Sequence, residues 1–276
     1  MPLPLDHIVI AVHNLAQAMA DYRKLGFNVL PGGQHPGRTS HNALVVFADG
    51  AYLELIAWQG PAPQERWYNT LLAHGEGLVD FALLPQDTAI ALAEAQARGL
   101  DTLRGPVDGG RVRPDGERLI WQSARHDTPD VPFLCGDVTP RNLRVPDDEA
   151  THTHPNGATG VANLCVAVHN LDTSLLRYQA LLGPDASTTA PTLLSGLGLR
   201  VAIITLQGLQ VVLMSPAERK ASPASTDSHS AQALRQRLST RGEGPCAFTL
   251  AGHGGTVLRG LDEDLTHGVA LELWGK

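Results

Sequence analysis

The stretch IVIAVHNLAQAMADYRKL, residues 8–25, returns at 164–181 as LCVAVHNLDTSLLRYQAL, pairing His13 with His169 and Tyr22 with Tyr178. Self-similarity of this kind marks a duplicated structural unit. The likeness continues in the same order downstream: DGAYLELI (49–56) faces QGLQVVLM (207–214), and GLVDFALL (77–84) faces GPCAFTLA (244–251). Between the copies runs VPDDEATHTHPNGATG (145–160), polar and aperiodic with Pro and Gly, which reads as a linker. The 276 residues exceed the usual size of one domain, and the expected domains are 1–148 and 149–276.

Within the first copy, residues 5–12 are rich in β-branched side chains and predict a strand. Asn14 then caps a helix, with Gln17 three positions on and Gly26 as the stop. Strands are expected at 27–31, 42–48 and 52–57, the last two joined at the turn dipeptide Asp49–Gly50. A second unit opens with a strand at 79–84, continues with a helix over 88–98 that Asp87 caps, and closes with strands near 103–107, 118–124 and 131–135. The pattern is βαβββ, twice. Residues 64–73 form an amphipathic connector, matched by 229–238 in the second copy, whose final unit from Cys246 to Trp274 is too short to hold its helix. The fold class is therefore α+β, built from tandem βαβββ modules.

Strand side chains alternate between faces, so each strand can be divided into a bulky and a smaller side. In the first strand Ile8, Ile10 and Val12 share the bulky face, leaving His7 opposite with Val9 and Ala11. In the fourth, Leu53 and Leu55 are bulky and Glu54 lies opposite. In the fifth, Val79, Phe81 and Leu83 are bulky and Asp80 lies opposite. If the non-helix face curves into a cup, His7, Glu54 and Asp80 converge. A bare carboxylate on an inward face is costly unless paired, protonated or coordinated. An imidazole with one or two carboxylates suits a divalent ion such as Zn, Fe, Mn or Ni. Such an ion would polarise a bound oxygen while Glu54 or Asp80 moves a proton. The second copy is an internal control: it carries Asn163, Val212 and Ala247 at the three positions and keeps the surrounding strand pattern.

Composition excludes several classes. No window approaches the apolar length of a membrane span, and a net charge of −7 without clustered Lys or Arg argues against nucleic acid. Three widely spaced cysteines suit a reducing compartment, and with no secretion signal legible the expected location is cytoplasmic. A small-molecule ligand is the expected partner. No GxSxG elbow or Walker lysine is present, which leaves covalent catalysis and phosphate binding without support.

LDHIVIAVHNL, PGGQHPGRTSHNAL, DGAYLELIA, VPFLCGDVTPRNLRVP and HPNGATG together resemble the glyoxalase-like branch of the vicinal-oxygen-chelate superfamily. The resemblance implies paired βαβββ units curled into cupped mixed sheets with helices on the outer face, and metal ligands on the first and fourth strands of each unit. His7 and Glu54 match the first two ligand positions. Asp80 stands where the third is usually His, and the fourth falls near Phe133 or Leu134, where no ligand is available. A dioxygenase-type set of two His and one carboxylate would need His41.

His35, His41 and Asn42 lie in a Gly- and Pro-rich loop leading into a strand at the expected cup mouth, where they would meet substrate. Trp121 would line the cup or fill core. Asp137 and Arg141 are read as an ion pair, and His152 and His154 as solvated linker residues. Two functions follow. One is a metal-dependent lyase, isomerase or oxygenase acting on a small oxygenated molecule, with Glu54 catalytic. The other is a metal-free protein that binds a small molecule in the same cup. A third role, for the second copy, is to close over the first or form a homodimer.

Overall fold

The structure, a computed structural model, describes residues 3–218, 228–254 and 257–275. The first half runs β1 (Leu5–Ala11), α1 (Leu15–Lys24), β2 (Leu30–Gln34), β3 (Ser40–Val46), β4 (Tyr52–Trp58), α2 (Arg66–His74), β5 (Gly77–Leu83), α3 (Thr88–Ala97), β6 (Arg104–Val112), β7 (Arg118–Arg125) and β8 (Phe133–Asp137). Two one-turn helices, α4 (Arg141–Arg144) and α5 (Glu149–His152), lead into the second half. There follow β9 (Ala158–Ala167), α6 (Leu171–Leu182), β10 (Ser187–Thr188), β11 (Thr192–Leu194), β12 (Leu199–Leu206), β13 (Leu209–Pro216), α7 (His229–Arg241), β14 (Gly244–Gly252), β15 (Val257–Gly260) and β16 (Ala270–Gly275). No helix lies between β14 and β16 among the described residues.

The first sheet closes into a barrel in the order β1-β4-β3-β2-β6-β7-β8-β5, while the second stays open in the order β10-β12-β13-β9-β14-β16-β15. Both are mixed, and both centre on the repeated strand. β1 pairs parallel with β4 and antiparallel with β5, and β9 does the same with β13 and β14. The barrel's seam is thin: β2 meets β6 at the single pairing Gln34↔Val112. Gly33 makes the approach possible, because its φ is +145° and a Cβ there would sit 2.0 Å from the Val112 carbonyl oxygen.

The AVHNL repeat has a local cause. Asn14 and Asn170 cap α1 and α6 by accepting from the backbone N–H of Gln17 and Thr173. The backbone N–H of His13 is held by Glu76 Oε1 at 2.6 Å and that of His169 by Glu243 Oε1 at 2.7 Å. Each copy thus ties the approach to its first helix to the start of the strand, β5 or β14, that pairs antiparallel with its repeated strand.

One apolar core runs through both halves, with Ile8, Ile10, Leu53 and Leu55 of the barrel, Tyr22 of α1, Leu92 of α3, Tyr178 of α6 and Leu213 and Phe248 of the second sheet all buried in it. Helix α1 packs on β3 and β4, α3 packs on β6, β7 and β8, α6 packs on β12 and β13, and α3 meets α6 where the two halves join. Helix α2 instead sends Leu71 to the barrel's other face, against Val9, Ala11 and Ile56. No described helix is long and apolar enough to cross a membrane.

Three local expectations change. β2 begins three residues later than its sequence suggests, because Phe27 and Val29 are spent in the core before pairing starts. β6 runs on through Gly109–Gly110 to Val112, beyond the strand expected near 103–107. Linker residue His154 is not solvated: its Nε2 lies 3.0 Å from the Val46 carbonyl and its Nδ1 accepts from Asn28 N at 3.1 Å, so it pins the connection onto the barrel.

A candidate metal and substrate site in the barrel

Strict alternation fails at two places in the centre of the barrel, and both shape the site. Between Leu5↔Leu83 and His7↔Ala82, β1 carries one extra residue, Asp6. Between Val9↔Asp80 and Ile10↔Leu78, β5 carries one extra residue, Val79. Bulges re-aim side chains. Val79 joins the inner apolar cluster with Val9 and Ala82 instead of packing beside Phe81. Asp6 comes to the same side as His7, with Oδ2 2.7 Å from Nδ1 of the imidazole.

A cavity of about 290 Å³ opens inside the barrel, lined by His7, His35, Asn42, Glu54, Arg111 and Trp121 among others. His7 is buried and lies 3.5 Å, Nε2 to Oε2, from Glu54. Its ring stacks on Tyr52 at 4.7 Å and meets Phe133 edge-on at 5.3 Å. Asn42 donates to Glu54 Oε1 at 2.6 Å, and His35 Nε2 lies 3.8 Å from the same oxygen. The Nδ1 of His35 is engaged by Ser40 Oγ at 2.9 Å. Each imidazole is therefore tied through Nδ1 and turns Nε2 toward the one glutamate.

The electrostatics follow from these partners. Burial opposes the charge of Glu54, yet His7, His35 and Asn42 outweigh it and hold the carboxyl at about 2. Burial likewise opposes a charged His7, but Asp6 and Glu54 raise its pKa. Burial and the nearby Arg111 and Arg38 depress His35, against the pull of Glu54. Asp6 is buried, and Arg144, His7 and Arg141 hold it well below the usual carboxylate range despite that burial. Arg144 reaches both oxygens of Asp6, at 2.8 and 2.9 Å, and Arg141 reaches one at 2.7 Å. Both arginines also bind Asp137. The Asp137–Arg141 pair read from the sequence is one edge of this network, at 3.0 Å.

The remaining sequence candidates separate. Asp80 is buried on the inner side, but its carboxylate is taken by Arg66, by Arg125 at 3.2 Å and by Trp67 Nε1 at 2.9 Å. It is spent on those groups and does not join His7 and Glu54. The third donor beside Glu54 is His35. His41 sits between Ser40 and Asn42 in β3; those two line the cavity and His41 does not. Trp121 lines it and meets His35 edge-on at 6.1 Å. Sequence reading missed Asp6, Arg111, Arg125, Cys135 and Arg144. The bulge brings Asp6, the long β6 Arg111 and the return of α4 Arg144, while Arg125 and Cys135 come from β7 and β8.

Bonds of about 2.0–2.2 Å from an imidazole nitrogen and a carboxylate oxygen can join donors up to roughly 4.2 Å apart. The 3.5 Å between His7 and Glu54 is thus a separation one ion can bridge. The carboxylate behind His7 is the usual outer support of a metal-bound imidazole. A tighter trio of potential donors, Asp6, His7 and Cys135, has all its atoms within 4.8 Å of one another. It fits less well. Asp6 is already spent on two guanidinium groups, and burial pushes the Cys135 thiol far up, which keeps it protonated.

A sequence model of the glyoxalase-like domain matches residues 5–182, from β1 through α6. The chain belongs to the glyoxalase-like family. No curated protein matches it by sequence. Solved structures match its fold. One is a hypothetical protein from Staphylococcus aureus, with TM-score 0.70 and 11% identity over 100% of both chains. Another is a mutant of 4-hydroxymandelate synthase from Streptomyces coelicolor, with TM-score 0.61 and 14% identity over 91% of this chain and 71% of that one. A third is a fusion of a xylose isomerase-like TIM barrel with a 4-hydroxyphenylpyruvate dioxygenase, with TM-score 0.54 and 18% identity over 91% of this chain and 37% of that one. At these identities the likeness establishes the vicinal-oxygen-chelate fold and nothing of the chemistry.

Proposed function

We propose that this glyoxalase-like protein is a divalent-metal-dependent enzyme of the lyase, isomerase or oxygenase type, acting on a small oxygenated molecule inside the barrel. The observation that carries the reading is the facing of His7 Nε2 and Glu54 Oε2 at 3.5 Å on a buried cavity wall, with His35 on the far side of the same carboxylate. His7 and Glu54 would hold the ion, an imidazole and a carboxylate that leave positions open for water and substrate. Bound there, the ion would supply Lewis acidity to an oxygen of the substrate.

The chain's own groups have separate tasks. Asp6 fixes the His7 ring and its tautomer through Nδ1, leaving Nε2 for the cavity. Glu54, held near 2, stays ionised across the neutral range. It is thus a weak base, better suited to holding a cation than to shuttling a proton. Tyr52, Phe133 and Trp121 exclude water around the donors.

The metal-free alternative keeps one observation in its favour: His7 and Glu54 already satisfy each other as an ion pair. Elemental analysis of purified protein separates the two. About one metal per chain, lost in a His7→Ala/Glu54→Ala double variant that remains folded, is the expected result. Stoichiometric absence of metal after incubation with Mn, Fe, Ni and Zn would leave the binding protein as the better reading.

A further inference from the structure

Arg111 is 3% exposed and lines the barrel cavity. A buried guanidinium is normally paired, since removing its charge from water without a counter-charge is costly. The other cationic side chains of the cavity obey this rule. Arg144 meets Asp6 and Asp137, Arg125 meets Asp80, and Arg38 lies 3.8 Å from Glu65. Arg118 is exposed to water. Arg111 has neither recourse: no carboxylate among the described residues lies within ion-pair distance of it, its one hydrogen bond runs from Nη2 to the Arg144 carbonyl, and its Nε is buried without a partner.

The charges around it do not supply the missing anion. Glu54, the carboxylate that acts on it, is already shared by His7, His35 and Asn42, and Arg144 and Arg113 oppose its charge. The flat surface beside it is the indole of Trp121, which lies against Gly109, where a Cβ would come 2.4 Å from the indole Nε1; further round, the Trp67 and Phe133 rings are covered by the Arg125 guanidinium at 4.3 and 3.9 Å.

We propose that Arg111 is the anion-binding residue of the cavity and that the ligand carries a carboxylate on a flat apolar body. This deepens the function proposed above and rests on the barrel cavity being its ligand site, but it does not depend on the metal. The planar fork of the guanidinium matches a carboxylate in two parallel hydrogen bonds. The Trp121 indole beside it matches an aryl or similarly flat group. A cavity of about 290 Å³ limits the body to roughly one ring with a short side chain, at the small end of the range for ligand sites.

Phenylacetate and its neutral isostere phenylacetamide test this, titrated calorimetrically into the full-length protein with EDTA present, so that metal plays no part. The wild type is expected to bind the carboxylate at least tenfold more tightly than the amide. Arg111→Met is expected to lose that preference, and Arg111→Lys to keep a part of it. The variant's thermal midpoint supplies a second reading. Relief of an unpaired buried charge leaves Arg111→Met as stable as the wild type or more so, whereas a residue that only props the Arg144 carbonyl would lower the midpoint on substitution. Equal affinity of the wild type for acid and amide, absence of binding by either, or an unchanged preference in Arg111→Met would overturn the assignment. A wild type that takes up no metal but keeps the acid preference would sink the metal reading and leave this one standing, whereas a wild type that binds metal but shows no acid preference would do the reverse.

Discussion

Asp6 and His7 are neighbours in one strand, yet their side chains meet, Oδ2 to Nδ1, at 2.7 Å. Regular alternation would send them to opposite faces of the sheet. The extra residue that β1 carries at Asp6 relative to β5 removes that restriction. It makes one carboxylate both the support of the site histidine and the centre of an arginine network joining β1, β8 and α4. Asp6→Asn should therefore act twice. Metal affinity, followed by titration calorimetry, should fall about 10–100-fold as the His7 ring loses its orienting acceptor. Stability in urea should fall by roughly 3–5 kcal/mol because Arg144 is left buried and underpaired. Undiminished affinity in a folded variant would remove Asp6 from the site.

Asp80 provides the contrast. Its carboxylate neutralises Arg66 and Arg125, of which the second also lies over the Trp67 and Phe133 rings at 4.3 and 3.9 Å. Asp80→Asn should keep the full metal stoichiometry by elemental analysis. It should cost roughly 1–3 kcal/mol in urea unfolding, less than a wholly buried pair because both guanidinium groups are about one-third exposed. A variant that loses its metal while staying folded would restore Asp80 as a ligand.

The difference between these two aspartates shows how far the sequence could be read. Periodicity and the AVHNL repeat located the βαβββ units, their caps and the inward face of β1 and β4, because those depend on local spacing and on burial that strands impose residue by residue. His7 and Glu54 could be brought to one face on that basis alone. The two bulges, the continuation of β6 through Gly109–Gly110 and the return of α4 beneath the barrel are set by pairing between distant segments. No local pattern announces them. Arg111 and Arg144 were illegible for the same reason, since each reads as one arginine among many until β6 and α4 are laid against the cavity. His35 was placed in the right loop, but its closeness to Glu54 arises only where β2 curls to meet β6.

Asp130 joins the two halves and should make their union acid-sensitive. It is wholly buried, accepting from Ser174 Oγ at 2.7 Å and from Arg177 Nη1 at 2.9 Å, both on α6, and from Thr128 in its own loop. Burial raises its pKa, but Ser174, Thr128 and Arg177 together lower it below the ordinary value. A group depressed on folding stabilises above its unfolded pKa and loses that contribution as pH falls through the folded one. Asp130→Asn should thus cost roughly 1–3 kcal/mol at pH 7. The gap between variant and wild type should narrow only below about pH 4, near the unfolded carboxylate value. Urea midpoints from pH 7 down to pH 3 check this, and a gap independent of pH would show that Asp130 acts through shape and not through charge.

Two adjacent glycines in β6 separate side-chain from backbone crowding. A Cβ on Gly109 would come 2.4 Å from the Trp121 indole nitrogen, whereas a Cβ on Gly110 would come 2.5 Å from the Leu119 carbonyl oxygen in the neighbouring strand. An indole can swing into the cavity, but a paired carbonyl moves only with its strand. Gly110→Ala should therefore cost stability, on the order of 1–3 kcal/mol, through distortion of the β6–β7 pairing. Gly109→Ala should cost less and instead tilt Trp121 off the wall. Its signature would be a shifted indole emission, absent from a Trp121→Phe background, and a several-fold loss of affinity for the aromatic acid while preference over the amide is kept, because Arg111 is untouched. Equal destabilisation by the two substitutions, with emission unchanged in both, would mean that Trp121 is fixed by its surroundings and does not depend on the bare backbone of Gly109 for its place.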